Sequence, residues 1–344
     1  MIAFILLACT ATEKGEFDTA DFEDTAQTEI TEDTGNTEFT EPTGNTDFPD
    51  LQQDYNSVYE TALPAPILDM GIGNITAYAG FLMSMGPIIE LQIMVASVGQ
   101  ENITCPAIDG VFPSEGAPLE DVTVTGNGCV NDEGKRYDGS LVYNEAGVSY
   151  NSYTVTTPLG DENCPDAFIT SITDGGSLID DETGDIPFIV KLQNEELDED
   201  CNPVPSTVFL NGDVNIDESN SEETLVNGDL TFLLSFEEGS MWFMAITEDE
   251  VLNRSVCESE PISGTNTMTN GEDDMVYTFD GVTDCDEEPT QLLSINGGES
   301  VEVQGASCSA NSSRGGILGM FFAFGLMLLR RKGDATPSGA LQTL

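Results

Sequence analysis

The sequence predicts a mainly β protein: an antiparallel sandwich, single or two in series, stapled by disulfides and preceded by a short two-helix element. Three observations predict it. Between Cys105 and Val303 the chain holds many short segments rich in Val, Ile, Thr and aromatic residues, often alternating with polar ones. Turn residues separate these segments, which is typical of sandwiches. Six cysteines without a CxxC spacing are spread over the same region, and this favours disulfides.

The composition limits the class of partner. The 344 residues include 63 Asp and Glu against 9 Lys and Arg, for a formal net charge of −54. Nucleic acids and anionic lipids recruit proteins through Lys and Arg, so nucleic-acid binding is excluded. Because 39% of the residues are apolar, a core can still form. The charge is interpreted as a solubilising shell suited to salty or divalent-rich water, with dedicated cation sites as the alternative.

Residues 1–9 are similar to a bacterial lipoprotein signal. Ile2 to Ala8 are apolar and run into Leu6-Leu7-Ala8-Cys9, in which a small residue precedes a cysteine. The apolar stretch lies at the short end of the signal-peptide range, and no basic side chain precedes it. The resemblance implies that Cys9 receives a lipid and becomes the mature N-terminus.

Residues 10–53 are a low-complexity segment of Thr, Glu, Asp and Gly. The sequence Thr34-Gly-Asn-Thr-Glu-Phe39 recurs nine residues later as Thr43-Gly-Asn-Thr-Asp-Phe48. Isolated Phe residues among like charges bury too little area to offset the entropy of ordering. We expect a disordered acidic stalk that lifts the body off a membrane. The alternative is a repeated cation-binding or adhesive motif.

Residues 54–104 are predicted to form the helical element. Asn74 is a candidate N-cap for a first helix that continues to Met85. Gly86-Pro87 would end it, since proline cannot continue a helix but suits the first turn of a new one. A second helix then continues to Val98. The alternative is a second membrane span, which would carry Gly86-Pro87 and Glu90 in its middle.

Residues 105–303 are predicted to form the β-rich domain. Its candidate strands are Val122–Thr125, Ser140–Tyr143, Val148–Thr156, Ala167–Ile172, Phe188–Leu192, Thr207–Asn211, Asp213–Asp217, Leu230–Phe236, Met241–Ile246, Met275–Phe279, Leu292–Ile295 and Val301–Val303. Asn227-Gly228 and Asn296-Gly297-Gly298 are the strongest hairpin signals, because these residues tolerate positive φ.

The disulfides are predicted to join neighbouring cysteines. Histidine is absent from the chain, which argues against a zinc site. Each proposed bridge closes a loop of a few dozen residues, worth about 3–4 kcal/mol in the chain-entropy model. Sequence alone leaves about 15 connectivities open for six cysteines. The predicted pairs are Cys105–Cys129, Cys164–Cys201 and Cys257–Cys285.

The C-terminal segment is predicted to anchor the chain. A linker at 304–314 contains Cys308, and residues 315–332 form a transmembrane sorting segment, followed by a tail at 333–344. Gly315 to Leu329 are fifteen uncharged residues, shorter than the roughly 20 of an ordinary span. The basic stop after it marks the cytoplasmic side, which places the acidic body outside the cell. That stop consists of Arg330, Arg331 and Lys332.

This tail resembles the MYXO-CTERM type of sorting tail found on surface proteins of myxobacteria and related deltaproteobacteria. The resemblance rests on Cys308-Ser309, Arg314-Gly315-Gly316, the short apolar helix and the basic stop. It implies that Cys308 marks where the tail is processed and the protein attached. An ordinary single-pass anchor is the alternative. Both interpretations expose the body on the outer envelope of a Gram-negative cell.

No motif for enzymatic chemistry is apparent. Without histidine the chain has no Ser-His-Asp or Cys-His arrangement. Asp213, Asn215 and Asp217 are weak calcium candidates, because their spacing matches the first ligand positions of an EF-hand loop. Glu218 and Thr224 stand where that loop requires glycine and glutamate. Alternating polar residues are also typical of the solvent face of a strand. No other cofactor is expected.

The function predicted from sequence is that of an exported bacterial cell-surface protein of structural or interaction type. It would be held at the membrane by the C-terminal helix and by a lipid at Cys9, and it would contact a protein or polysaccharide. The alternatives are a surface hydrolase that uses paired carboxylates and a calcium-dependent adhesin. The single tryptophan, Trp242, is interpreted as a core anchor and not as a sugar-stacking platform.

Overall fold

A computed structural model describes most of the body of the chain. The described residues are 48–70, 80, 83–112, 121–144, 146–159, 164, 167–178, 185–198, 201–220, 223–253, 261–279 and 290–304. The helices are α1 (Pro49–Tyr59), α2 (Ile67–Met70) and α3 (Gly86–Val98), followed by a 3₁₀ turn at Gln100–Asn102. The strands are β1 (Leu63–Pro64), β2 (Ala107–Asp109), β3 (Val122–Thr125), β4 (Cys129–Val130), β5 (Arg136–Asn144), β6 (Gly147–Pro158), β7 (Phe168–Leu178), β8 (Asp185–Leu197), β9 (Pro203–Asn220), β10 (Glu223–Phe236), β11 (Gly239–Leu252), β12 (Ser263–Thr269), β13 (Asp274–Phe279), β14 (Thr290–Ile295) and β15 (Val301–Gln304).

The fifteen strands form one sheet. Its order is β15-β14-β13-β12-β11-β10-β9-β8-β7-β6-β5-β3-β2, with β4 paired to β5 and β1 paired in parallel to β11. The chain is therefore mainly β and antiparallel, as predicted. All of the described strands are hydrogen-bonded into one continuous sheet. Most strands pair with their neighbours along the chain, and residues of the helical region pack on both faces of the sheet.

One face of the sheet, called face A here, carries the main core. Directly opposed residues of neighbouring strands share a face, and Tyr150 of β6, Gly175 of β7 and Val190 of β8 are opposed in this way. The segment with Ala65 and Ile67 packs on the part formed by β8–β14. The buried side of α3 packs on the part formed by β3–β6.

The other face, called face B, carries α1. Tyr55 of α1 packs against Ile189, Phe209 and Leu233. Two lysines connect the helices to the sheet. Lys191 Nζ on face B lies 2.6 Å from a carboxylate oxygen of Asp54 in α1, and Lys135 Nζ lies 2.6 Å from a carboxylate oxygen of Glu90 in α3. Such partly exposed pairs fix position more than they stabilise, since each contributes about 0–1 kcal/mol.

The helical element matches the prediction at one point and differs at another. Helix α3 begins at Gly86 with proline in its first turn, so the predicted break at Gly86-Pro87 is confirmed. Helix α1 begins at Pro49, so residues 49–53, which were assigned to the stalk, are helical. The first predicted helix, from Asn74, lies largely outside the described residues. Within the ranges that the structure describes, no helix is long and apolar enough to span a membrane.

The predicted strands are confirmed in position but are mostly too short. The two strands predicted on either side of Gly212 are one strand, β9. A Cβ at Gly212 would lie 2.0 Å from the carbonyl oxygen of Asp229, so this glycine allows close approach of strands and does not form a turn. Strand β12 was not predicted. The turn at Asn296-Gly297-Gly298 is confirmed between β14 and β15, with φ of 50° at Asn296 and 69° at Gly297.

The hairpin predicted at Asn227-Gly228 is wrong. Asn227 lies opposite Asn215, and Gly228 lies opposite both Val214 and Thr247, in the middle of β10. Both residues pair with β9, and Gly228 also pairs with β11, so no chain reversal occurs there. Gly228 has a positive φ of 151° at the point where the register between β10 and β11 shifts.

Two of the three predicted disulfides are confirmed with their predicted partners. Cys105 is bonded to Cys129 and Cys164 to Cys201, with a Cα–Cα distance of 5.8 Å in each. Disulfides persist in oxidising compartments outside the cytoplasm, which is consistent with export. Several predicted features lie outside the described residues: the pair Cys257–Cys285, the residues Cys9 and Cys308, the apolar segment Gly315–Leu329 and the basic stop Arg330, Arg331 and Lys332.

Candidate functional site

Strand β6 contains a β-bulge at Asn151 and Ser152. Tyr150 is opposed to Gly175 of β7 and Tyr153 to Thr173, so β6 advances three residues where its neighbour advances two. Ser152 has a φ of 46°. Asn151 and Ser152 are exposed, whereas Tyr150 and Tyr153 on either side are both buried on face A. Because of the extra residue, the side chain of Tyr153 lies on face A again, as that of Tyr150 does.

The two neighbouring strands hold this bulge. From β7, Asp174 Oδ1 accepts hydrogen bonds from the Ser152 backbone N–H at 2.7 Å and from Ser152 Oγ at 3.0 Å. From β5, Gly139 has a φ of 70°, and a Cβ there would lie 2.0 Å from the carbonyl oxygen of Ser152. A glycine is therefore needed at this position, and a carboxylate is fixed beside it on face B.

A cleft of about 550 Å³ opens beside the bulge, between the first turns of α1 and strands β6–β8. It combines apolar side chains from the start of α1 with charged and amide groups from the helix and the sheet. Its lining is Phe48, Pro49, Asp50, Leu51, Asp54, Tyr150, Asn151, Asp174, Gly175 and Lys191.

Lys191 forms the floor of the cleft next to α1. Its Nζ lies 2.6 Å from Asp54 Oδ2 and 5.3 Å from the centre of the Phe209 ring. Its side chain is 20% exposed, and both contacts hold the ammonium in one place. Its positive charge is therefore already compensated inside the cleft.

The electrostatic balance of the cleft is negative. Asp50, Asp54 and Asp174 face one ammonium, Lys191, so two negative charges are in excess. No hydrogen bond from the described residues reaches Asp174 Oδ2. With the apolar side chains of Phe48 and Leu51 beside it, the arrangement suits a ligand that carries a cation next to an apolar group.

The acids of raised pKa lie elsewhere. Burial raises the pKa of Asp213, with the neighbouring carboxylates Asp229 and Asp185 adding to the effect, and burial raises the pKa of Asp229. Asp213 and Asp229 are directly opposed on β9 and β10, on face B and outside the lining of the cleft. The two carboxylates of raised pKa therefore lie outside the cleft beside the β6 bulge.

The calcium candidates lie along one strand. Asp213, Asn215 and Asp217 alternate on β9, and Asn215 Nδ2 donates a hydrogen bond to Asp185 Oδ1 at 3.0 Å. Alternate residues of a strand are about 7 Å apart, too far for three of them to surround one ion. Within the described ranges no group of three or more His, Cys, Asp or Glu is arranged to hold a metal ion.

Trp242 lies on face B, where its ring centre is 5.4 Å from that of Tyr59 in α1. It packs beside the small cluster of Tyr55, Phe209 and Leu233, as an anchor for the helix. The residues of the cleft were not singled out from the sequence. The one available signal was Lys191, a rare basic residue inside a predicted strand.

Comparisons of the chain with protein-family models, with curated proteins and with solved structures give no match.

Proposed function

We propose that the protein is an exported cell-surface protein of interaction type, and that the cleft between α1 and strands β6–β8 is its binding site. The observation that carries the proposal is the cleft itself, with fixed carboxylates, apolar walls and an internally compensated lysine. A chain of net charge −54 also attracts cationic partners over a distance.

The ligand would carry an ammonium group next to an apolar group, as a lysine beside an aromatic residue does on a partner protein. The free oxygen of Asp174 would accept a charge-assisted hydrogen bond from the ammonium. Phe48 and Leu51 would cover the apolar part. An anionic ligand would meet two uncompensated carboxylates and is disfavoured.

Binding is tested with phenethylammonium as the probe, titrated against the folded protein at low salt. Asp174→Asn keeps the acceptor for Ser152 but removes the charge, so we expect the affinity to fall roughly tenfold, the effect of losing about 1.4 kcal/mol. Asp109→Asn is the matched control, because Asp109 is exposed on β2 and outside the cleft. Equal losses in both variants would assign the binding to overall charge and contradict the cleft.

The location is tested separately. In this proposal the C-terminal segment, which resembles MYXO-CTERM tails, and a lipid at Cys9 hold the body outside the cell. After expression of the full chain in a Gram-negative host, protease added to intact cells should digest the body. A thiol reagent should label Cys105 and Cys164 only after reduction. Recovery from the cytosol with these thiols free would contradict export but leave the cleft untouched.

A further inference from the structure

Strand β11 contains a second β-bulge, at residues 248–250. On β10, Val226 is opposed to Glu250 and Gly228 to Thr247, and on β12 Thr265 is opposed to Glu248 and Ser263 to Val251. Seen from either neighbour, β11 has one residue more than its partner. The extra residue changes the alternation of the strand, so that Glu250 lies on face A, on the same side as Thr247.

The neighbouring strands fix this bulge in position. Asp249 has a φ of 50°, and its backbone N–H donates to Asn227 Oδ1 of β10 at 2.7 Å. On the other side, a Cβ at Gly264 of β12 would lie 2.5 Å from the Asp249 carbonyl oxygen. The direction of the Glu250 side chain is therefore set by the backbone and cannot relax outward without breaking these contacts.

Glu250 is buried with an amide as its partner. It is 1% exposed, and Asn266 of β12 is 0% exposed. Asn266 Nδ2 donates to Glu250 Oε2 at 3.4 Å and to Thr247 Oγ1 at 3.2 Å. Two atoms of this cluster have no hydrogen-bond partner among the described residues: Glu250 Oε1 and Asn266 Oδ1. Both are acceptors if Glu250 is ionised, so neither can satisfy the other in that state.

No described cation compensates Glu250. Lys135, Arg136 and Lys191 are the three cations of the described part, and they pair with Glu90, Asp138 and Asp54. A buried carboxylate without a cation is strongly disfavoured relative to the neutral acid. The form that this environment selects is the acid.

Among the residues that the structure describes, the other titratable groups around Glu250 do not supply a positive charge. From β13, Tyr277 lies opposite Asn266, and burial raises its pKa to about 12. On β10, Glu223 Oε1 accepts a hydrogen bond at 3.5 Å from Nδ2 of Asn253, the residue after β11, and Asp229 lies on face B. On β11 itself Glu248 and Asp249 are exposed. Ala65 to Ile67, which pack over face A, carry no charge.

We propose that Glu250 is held as the neutral acid in a reciprocal pair with Asn266, and that loss of its proton unlatches β11 from β12. In this pair the amide N–H donates to Oε2, and the acid O–H at Oε1 donates to Asn266 Oδ1. The two unpartnered oxygens are the two ends of this second bond. When the proton leaves to solvent, the bond is replaced by two facing acceptors in a buried site, which favours opening of this part of the sheet.

The pH range follows from the direction of the shift. Burial raises the pKa of Glu250 from 4.5 to about 8, against a smaller lowering by the Asn266 hydrogen bond. Because the folded state holds the proton more tightly than the unfolded chain, this contribution to stability is complete below pH ~4.5 and is lost as the pH rises through about 8. The protein should loosen here in alkaline surroundings.

The test is Glu250→Gln, which replaces the acid O–H by an amide N–H and keeps the reciprocal pair without a titratable proton. We expect the unfolding temperature of Glu250→Gln to match that of the wild type near pH 5 and to exceed it by at least about 5 °C near pH 9. Amide hydrogen exchange of Val251 and Gly264, corrected for intrinsic rates, should accelerate above pH 8 in the wild type only.

Glu248→Gln is the matched control, since it removes an exposed charge two residues away. The same rise with pH in this variant would show general charge repulsion and overturn the proposal, as would a pH-independent difference for Glu250→Gln. If Glu250→Gln does not fold, the carboxyl carbon of Glu250 is titrated by NMR in the wild type. A midpoint near pH 8 supports the proposal, and a midpoint below about 6 overturns it.

Discussion

The bulge in β6 and the bulge in β11 have the same construction. In both, two exposed residues lie between two buried ones, and the second exposed residue has a positive φ, 46° at Ser152 and 50° at Asp249. The N–H of that residue donates at 2.7 Å to a side-chain oxygen of one neighbouring strand, and a glycine of the other neighbour lies against its carbonyl oxygen. The two bulges therefore have the same backbone geometry, although the side chains that they place on the two faces of the sheet differ.

The two bulges differ in what they present. The β6 bulge is held by the carboxylate of Asp174 and returns Tyr153 to the core, whereas the β11 bulge is held by the amide of Asn227 and returns Glu250. At the β6 bulge the residue that accepts the hydrogen bond is an aspartate, so a carboxylate lies at the surface beside the cleft. At the β11 bulge that residue is an asparagine, and the carboxyl group that the bulge positions, that of Glu250, lies in the core. The same backbone irregularity can therefore place a carboxylate beside a surface cleft or a titratable group in the core.

The largest expected effect comes from removing the glycines that the bulges need. Gly139→Ala places a Cβ 2.0 Å from the Ser152 carbonyl oxygen, and Gly264→Ala places one 2.5 Å from that of Asp249. We expect each to lower the free energy of unfolding by about 3 kcal/mol or more, since strained φ costs about 1–3 kcal/mol before any overlap. Chemical denaturation measures the loss.

Gly297→Ala is the control for the glycine substitutions. Gly297 has a φ of 69°, close to the 70° of Gly139, but nothing lies within 4 Å of its Cβ position. It therefore reports the cost of the backbone conformation alone. Equal losses at Gly139 and Gly297 would mean that the β6 bulge adapts to the added methyl group, and that the glycine is not required for close approach.

The next prediction compares the two side chains that accept the backbone hydrogen bond of each bulge, Asp174 and Asn227. Asp174→Ala removes two hydrogen bonds to a carboxylate, and Asn227→Ala removes one to an amide. Because bonds to charged groups are stronger, we expect a loss of about 2 kcal/mol for Asp174→Ala and about 1 kcal/mol for Asn227→Ala by chemical denaturation. Asp174→Asn keeps the acceptor and should lose less than half as much as Asp174→Ala. A larger loss at Asn227 would reverse the comparison.

Much of the fold was predictable because it depends on local pattern. Alternation identified most strands and the proline at Pro87 located the start of α3. The choice of neighbouring cysteines as partners is right for the two bridges that the structure describes, although the sequence left the connectivity open. That the strands form one sheet was not predictable. It depends on the helical segment covering face A, and alternation alone does not say whether a second sheet or a helix lies there.

The bulges explain why the sites were missed. Asn227-Gly228 was interpreted as a turn because both residues tolerate positive φ, yet the amide of Asn227 binds the N–H of Asp249 on the next strand. Glu248, Asp249 and Glu250 resemble a solvated acidic loop in sequence, and only the extra residue of β11 turns the last of them inward. A carboxylate that binds across strands, such as Asp174, has no signature among 63 acids.

The smallest expected effect tests the residue that the β6 bulge returns to the core. The Tyr153 hydroxyl is buried and has no hydrogen-bond partner in the part of the chain that the structure describes, whereas the Tyr150 hydroxyl on the other side of the bulge donates to the Ser84 carbonyl oxygen at 2.8 Å. Removing an unpaired buried hydroxyl relieves its desolvation, so Tyr153→Phe should stabilise the protein by up to about 1 kcal/mol, and Tyr150→Phe should destabilise it by about 1 kcal/mol. Burial raises the pKa of Tyr153, so the hydroxyl stays neutral and the difference from wild type should not change between pH 5 and 9. A pH-dependent difference at Tyr153 would place a titrating group beside this hydroxyl and remove the contrast with Glu250. Equal losses in the two variants, measured by denaturant unfolding, would instead show that the Tyr153 hydroxyl forms a hydrogen bond, as that of Tyr150 does.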